Sequence, residues 1–122
     1  MDAVFGDHDL DAAERAVDRW QEGFERRAGQ ARELAARMAS LRAEASSPDG
    51  LIEVTLGRSG ELLDLHLDEA VRRRPAATTA RDILATVTAA RGALAEQAAT
   101  VVEETIGADT EAGRAVLASY RR

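Results

Sequence analysis

Three groups of side chains in this chain have the types and spacing that chemistry uses. Asp64, His66 and Asp68 stand two residues apart, and Asp7, His8 and Asp9 repeat that composition near the N-terminus. Side chains two apart on a strand share a face, so the first group would form a carboxylate–imidazole–carboxylate row. A metal site needs three or four converging ligands, and the chain has two histidines and no cysteine. The row therefore reads as the polar outer face of a sheet, and neither a metal nor a cofactor is expected. No Gly-rich phosphate loop, ordered Ser-His-Asp set or cysteine nucleophile is present, so no catalytic residue is assigned and the protein is not expected to be an enzyme.

The third group is arginine. Arg15, Arg19, Arg26 and Arg27 fall in the N-terminal third, and Arg72, Arg73 and Arg74 form the densest basic run. Such clusters neutralise phosphates and release counterions. The plainer reading is a solvated surface, because Glu14, Asp18, Glu22 and Glu25 interleave with the first cluster and blunt its field. All 16 basic residues are arginine, yet the net charge is −6. An acidic mean field repels polyanions, so phosphate binding requires arginine concentrated on one face. Aromatic residues make up 3% of the chain: Phe5, Trp20, Phe24 and Tyr120. Recognition by stacking bases on aromatic platforms is therefore not expected.

Helices and a hairpin must position these residues. Residues 1–8 are expected to be a flexible tail. Leu10, Ala13, Val17, Trp20, Phe24, Ala28, Ala31, Leu34, Met38 and Leu41 recur at steps of three and four, which predicts an amphipathic helix. Asp11 with Glu14 would cap its start, with Asp9 as the alternative. Ser40–Ser47 fits either the last helical turns or a strand with Leu41, Ala43 and Ala45 on one face. Pro48-Asp49-Gly50 is a turn. Two strands follow at about 51–57 and 61–67, joined at Arg58-Ser59-Gly60; Ile52, Val54 and Leu56, then Leu63, Leu65 and Leu67, form their apolar faces. Thr79 with Asp82 predicts a second helix, with Ile83, Val87 and Leu94 inward and Gly107 at its C-terminal cap. Asp109 would cap a short last helix reaching Tyr120. No apolar run approaches a membrane span, and a cytoplasmic protein is expected.

A helix from Leu10 to Ser40 would be about 46 Å long, whereas a seven-residue strand spans about 23 Å. A small sheet cannot shield the whole apolar stripe, and soluble monomers avoid exposing such patches. A small open sheet also leaves edges ready to pair. Both arguments predict a homodimer with a continuous sheet, with Trp20, Phe24 and the strand and helix residues above as its core or dimer contacts.

Gly50–Asp68, GLIEVTLGRSGELLDLHLD, resembles the central segment of the YbaB/EbfC family of bacterial nucleoid-associated proteins. Ile52, Val54, Leu56, Leu65, Leu67 and Asp68 fall on the positions of its Gly–strand–turn–strand–Asp pattern, and long helices flank the segment on both sides. The resemblance spans roughly residues 10–107. It implies an α+β fold of order α-β-β-β-α, a three-stranded antiparallel sheet between two long helices, and a sheet continued across a homodimer. It also implies non-specific binding of double-stranded DNA in the nucleoid. The domain would be residues 9–107, with 108–122 a C-terminal helical extension. The turn departs from the family's frequent Asn-Gly. Divergent Arg/Ala-rich members occur beside type VII secretion genes in actinobacteria. That alternative implies an accessory factor that does not bind DNA and meets another protein through its helical arms.

Overall fold

Alternation of Ile52, Val54 and Leu56 with Glu53 and Thr55 builds the central strand of a sheet. In the computed structural model, which describes residues 7–121, helix α1 (Asp7–Ala39) leads into strands β1 (Ala43–Ser46), β2 (Ile52–Leu56) and β3 (Leu62–Leu67). A 3-10 turn (Glu69–Arg73), helix α2 (Ala76–Thr105) and helix α3 (Glu111–Ser119) follow. The strands pair antiparallel in the order β1-β2-β3. This is the α+β, α-β-β-β-α arrangement expected, with a third helix added.

Ser40–Ser47 resolves as the strand alternative. Leu41 and Ala43 are buried and Ala45 half-buried, as period two requires of one face. The β1–β2 turn is closed by side chains. The Ile52 N–H donates to the Ser47 hydroxyl at 3.0 Å, and that hydroxyl donates to Asp49 Oδ1 at 2.6 Å. Gly50 turns the chain at φ 75, a conformation that costs glycine little.

Helix α2 lies across β1 and β2. It buries Thr86, Ala90, Leu94, Ala98, Val101, Val102 and Thr105 along one face. Ile52, Val54, Leu56 and Ala90 form one cluster, edged by Ile83 and Val87; Leu41, Ala43, Leu94, Ala98 and Val101 form the second. Burying each large aliphatic side chain contributes about 1.5–3 kcal/mol. The Thr86 and Thr105 hydroxyls donate to the carbonyls of Asp82 and Val101, both at 2.7 Å, so neither is left unpaired in the core.

Helix α1 packs on α2 rather than on the open face of the sheet, and only through its C-terminal part. Leu34 and Met38 join the second cluster, and Arg37 reaches Glu104 at 2.7 Å. Trp20 and Phe24 therefore lie outside the core of the single chain, 64% and 56% exposed. Leu63, Leu65 and Leu67 are also exposed, because α2 stops short of β3. The expected Leu63/Leu65/Leu67 face is broken as well. The β2–β3 ladder slips near the turn, so Leu62 rather than Leu63 stands opposite Leu56. A bulge inserts one residue and shifts the alternation there.

Three helix boundaries differ from expectation. Helix α1 starts at Asp7, ahead of Asp9 and Asp11, so neither Asp caps it; residues 1–6 of the expected tail lie outside the described residues. Helix α2 starts at Ala76 behind Pro75, three residues before Thr79. Proline fixes a suitable φ and lacks the N–H a helix start leaves unused. Thr110, not Asp109, caps α3, its hydroxyl accepting from Gly113 N–H at 3.0 Å. Gly107, at φ 86, donates to the Val102 carbonyl and ends α2 as expected. Helix α3 then folds back on α2, and the Tyr120 hydroxyl donates to the Arg58 carbonyl at 3.0 Å. Partial burial pushes that phenol's pKa up.

Candidate nucleic-acid interface

The arginine run at 72–74 sits on the 3-10 turn and its exit. Asp68 starts the turn by accepting from Ala70 N–H at 2.9 Å, and backbone bonds from Val71 to Asp68 and from Arg74 to Val71 tighten it. The three arginines then part company. Arg74 turns inward, where its Nη1 donates to Asp49 Oδ2 and Asp82 Oδ2, each at 3.0 Å. Its side chain is 20% exposed, and its Nε and Nη2 are buried without a protein partner. Arg74 thus ties the turn to the β1–β2 corner and to α2. The Ser47 hydroxyl first, then Leu51 N–H and Arg74, hold the Asp49 carboxyl below its usual pKa despite some opposing desolvation.

Arg72 and Arg73 point to solvent. Arg72 pairs with Glu69 at 3.1 Å, both about 80% exposed, a contact worth little in water. Arg73 makes no ion pair among the described residues. Helix α2 begins beside them with no side-chain cap and no acidic residue in its first turn. Its free N–H groups and the positive end of its dipole therefore face the same region. Arg81, in the second turn of α2, is a further exposed cation that the residue pattern alone did not single out. Its signal was weak, since a lone arginine in an Ala/Thr-rich helix resembles any solvated position.

The other arginine group is elsewhere. Arg15, Arg19, Arg26 and Arg27 are all exposed on α1. The structure does not bring them to the 72–74 turn. Arg37 of α1 meets Glu104 at the C-terminal end of α2, whereas the turn precedes the helix start, about 43 Å away along α2. Asp9, Asp11, Glu14, Asp18, Glu22 and Glu25 surround Arg15 and Arg19 in the sequence, leaving Arg26 and Arg27 the less screened pair.

The outer face of the sheet is acidic. Glu53 stands opposite His66, and Thr55 lies between Glu44 and Asp64 across the ladders. The Asp64–His66–Asp68 row does not hold together, because Asp68 serves the 3-10 turn. No group of three or more potential ligands gathers among the described residues. The side chains of Asp7 and His8 lie outside the described residues. No helix among the described residues is long and apolar enough to cross a membrane.

Neither a curated protein sequence nor a solved structure matched this chain. A family model did, that of the YbaB/EbfC DNA-binding family, over residues 13–109. The matched span covers most of α1, the whole sheet, the arginine turn and α2, and it leaves α3 outside. This chain belongs to the YbaB/EbfC family of nucleoid-associated DNA-binding proteins.

Proposed function

We propose that this protein binds double-stranded DNA with little sequence preference, as a homodimer located in the nucleoid. The observation that carries the reading is the arginine turn. Arg72 and Arg73 are exposed, Arg74 anchors them from below through two carboxylates, and the uncapped start of α2 lies alongside. Guanidinium groups held this way neutralise phosphate oxygens, and backbone N–H groups at a helix start donate to the same anion. Contacts of this kind position a protein on a duplex without reading bases. Arg26 and Arg27 would extend the contact, while Arg15 and Arg19, among carboxylates, contribute less.

Dimerisation rests on β3. Leu62, Leu63, Leu65 and Leu67 are 37–50% exposed on an edge strand that no helix covers. A second copy supplies both the missing hydrogen bonds and the missing apolar cover. Two arginine turns in one particle would then double the phosphate contacts.

A gel shift on random-sequence duplex at two salt concentrations tests the reading. Affinity is expected to fall steeply with salt, with a log–log slope of about −0.9 per phosphate contact. Replacing both Arg72 and Arg73 with Ala should weaken binding equally on unrelated duplexes and flatten the slope by roughly 1.8 per protomer. No shift at low salt would overturn DNA binding; an unchanged slope in the double variant would overturn the site.

A further inference from the structure

The outer part of α1 has an apolar stripe and a charge pattern of its own. Leu10, Val17, Trp20 and Phe24 are each more than half exposed, with Ala13 continuing the seam. Their spacing of seven, three and four is that of a helix seam. Leu34 and Met38 continue the same seam into the body, where α2 covers them. Before residue 28 nothing among the described residues does so, since every position from 9 to 27 except Gly23 is exposed. Trp20 and Phe24 stack on one another with ring centroids 5.7 Å apart, so two adjacent anchors present one broad apolar surface.

The charge around this stripe decides what can cover it. Between residues 9 and 25 stand Asp9, Asp11, Glu14, Asp18, Glu22 and Glu25 against only Arg15 and Arg19. None of Asp11, Glu14, Asp18, Glu22 and Glu25 is paired with an arginine among the described residues. A duplex is repelled by such a field. Two copies of the same arm laid together would oppose carboxylate to carboxylate along the seam. A helix with an apolar stripe and basic flanks meets both features, as helix-in-groove recognition requires.

We propose that the outer arm of α1, residues 9–25, is a docking surface for a basic amphipathic helix of another protein, with Trp20 and Phe24 as its anchors. Aromatic anchors inside a rim of complementary charge are where binding energy concentrates in protein interfaces. The surface is separate from the arginine turn, so it stands whether or not the DNA reading holds.

Trp20 is the single tryptophan, so its fluorescence in the intact protein reports on this arm alone. The probe is a synthetic helical peptide with leucines at heptad a and d positions and arginines beside them. The control is the same peptide with glutamates replacing the arginines. The arginine peptide is expected to shift Trp20 emission to the blue with saturation at one peptide per arm, while the glutamate peptide leaves it unchanged. Phe24→Ser should weaken binding at least tenfold, as should the combined change Glu14→Gln, Asp18→Asn, Glu22→Gln and Glu25→Gln, with helicity by circular dichroism retained in both. Equal response to both peptides, or none to either, overturns the proposal. Full-strength binding by Phe24→Ser overturns it too, because contact would then be charge adhesion without docking. Emission that is already blue in the protein alone and moves red on dilution would show a second copy on the arm, which also overturns it.

Discussion

β2 and β3 are neighbours in one sheet and carry nearly the same apolar residues, yet their fates are opposite. Ile52, Val54 and Leu56 of β2 are at most 1% exposed, whereas Leu65 and Leu67 opposite them are 37% and 38% exposed. Strand pairing puts each pair on the same face of the sheet, so local pattern cannot account for the difference. The reach of α2 does. Its apolar face is about two strands wide, and its small residues, Ala90 and Ala98, let it sit close over β1 and β2. No helix among the described residues covers the third strand. Equal hydrophobic patterning thus divides into a core that stabilises the protomer and a surface that awaits a second body.

Substitutions on the two strands should separate these roles. Leu56→Ala removes a fully buried side chain and leaves a cavity, so the protomer should lose about 2–4 kcal/mol in urea unfolding. The double change Leu65→Asp and Leu67→Asp should leave far-ultraviolet circular dichroism intact but halve the mass measured by light scattering. A monomeric wild-type protein at micromolar concentration would end the claim that β3 is a dimer edge. A double variant that keeps the wild-type dimer mass would do the same.

Much of this division was legible in the letters. Period-two alternation located the hairpin, and the excess of apolar helix over sheet pointed to uncovered surface on α1. The missing parts share a cause: each depends on contacts remote in sequence. Arg72, Arg73 and Arg74 are three identical residues in a row, and only Arg74 turns inward, toward Asp49, 25 positions away. Thr79 and Asp82 form a respectable capping pair, but Asp82 is engaged by Arg74 and Pro75 starts the helix instead. Leu62 replaced Leu63 opposite Leu56 because a bulge next to a turn leaves no trace in a leucine pair.

The far end of the hairpin offers a finer comparison, since α3 holds the β2–β3 turn through Tyr120. A methyl group at Gly113 would overlap the backbone carbonyl of Gly107, which α3 approaches closely. Gly113→Ala should therefore loosen α3, costing about 1–2 kcal/mol. Faster amide exchange is expected at Arg58–Gly60 but not along β1. Tyr120→Phe keeps the packing and removes only the bond to the Arg58 carbonyl, so it should cost less, about 1 kcal/mol. If both variants leave exchange at the turn unchanged, α3 does not restrain the hairpin.

The smallest effect compares the two corners that bound β2 and β3. Asp49 and Asp68 each accept from a backbone N–H two residues on, that of Leu51 and that of Ala70. Asp49 alone also receives the Ser47 hydroxyl and Arg74. These donors favour the charged carboxylate and hold its folded pKa below the ordinary 3.8, the Ser47 hydroxyl most of all. A depressed pKa stabilises the fold at pH values above the unfolded one, and that contribution disappears as pH falls through the folded value. Asp49→Asn should therefore be less stable than wild type near neutral pH, with the gap closing as pH drops below 3.8. Urea midpoints for both proteins across that range measure it directly. Ser47→Ala should narrow the same gap when combined with Asp49→Asn, since it removes the largest cause of the shift. A gap that stays constant with pH would mean that Asp49 holds the corner by shape alone, and that the tie from Arg74 to the arginine turn does not depend on its charge.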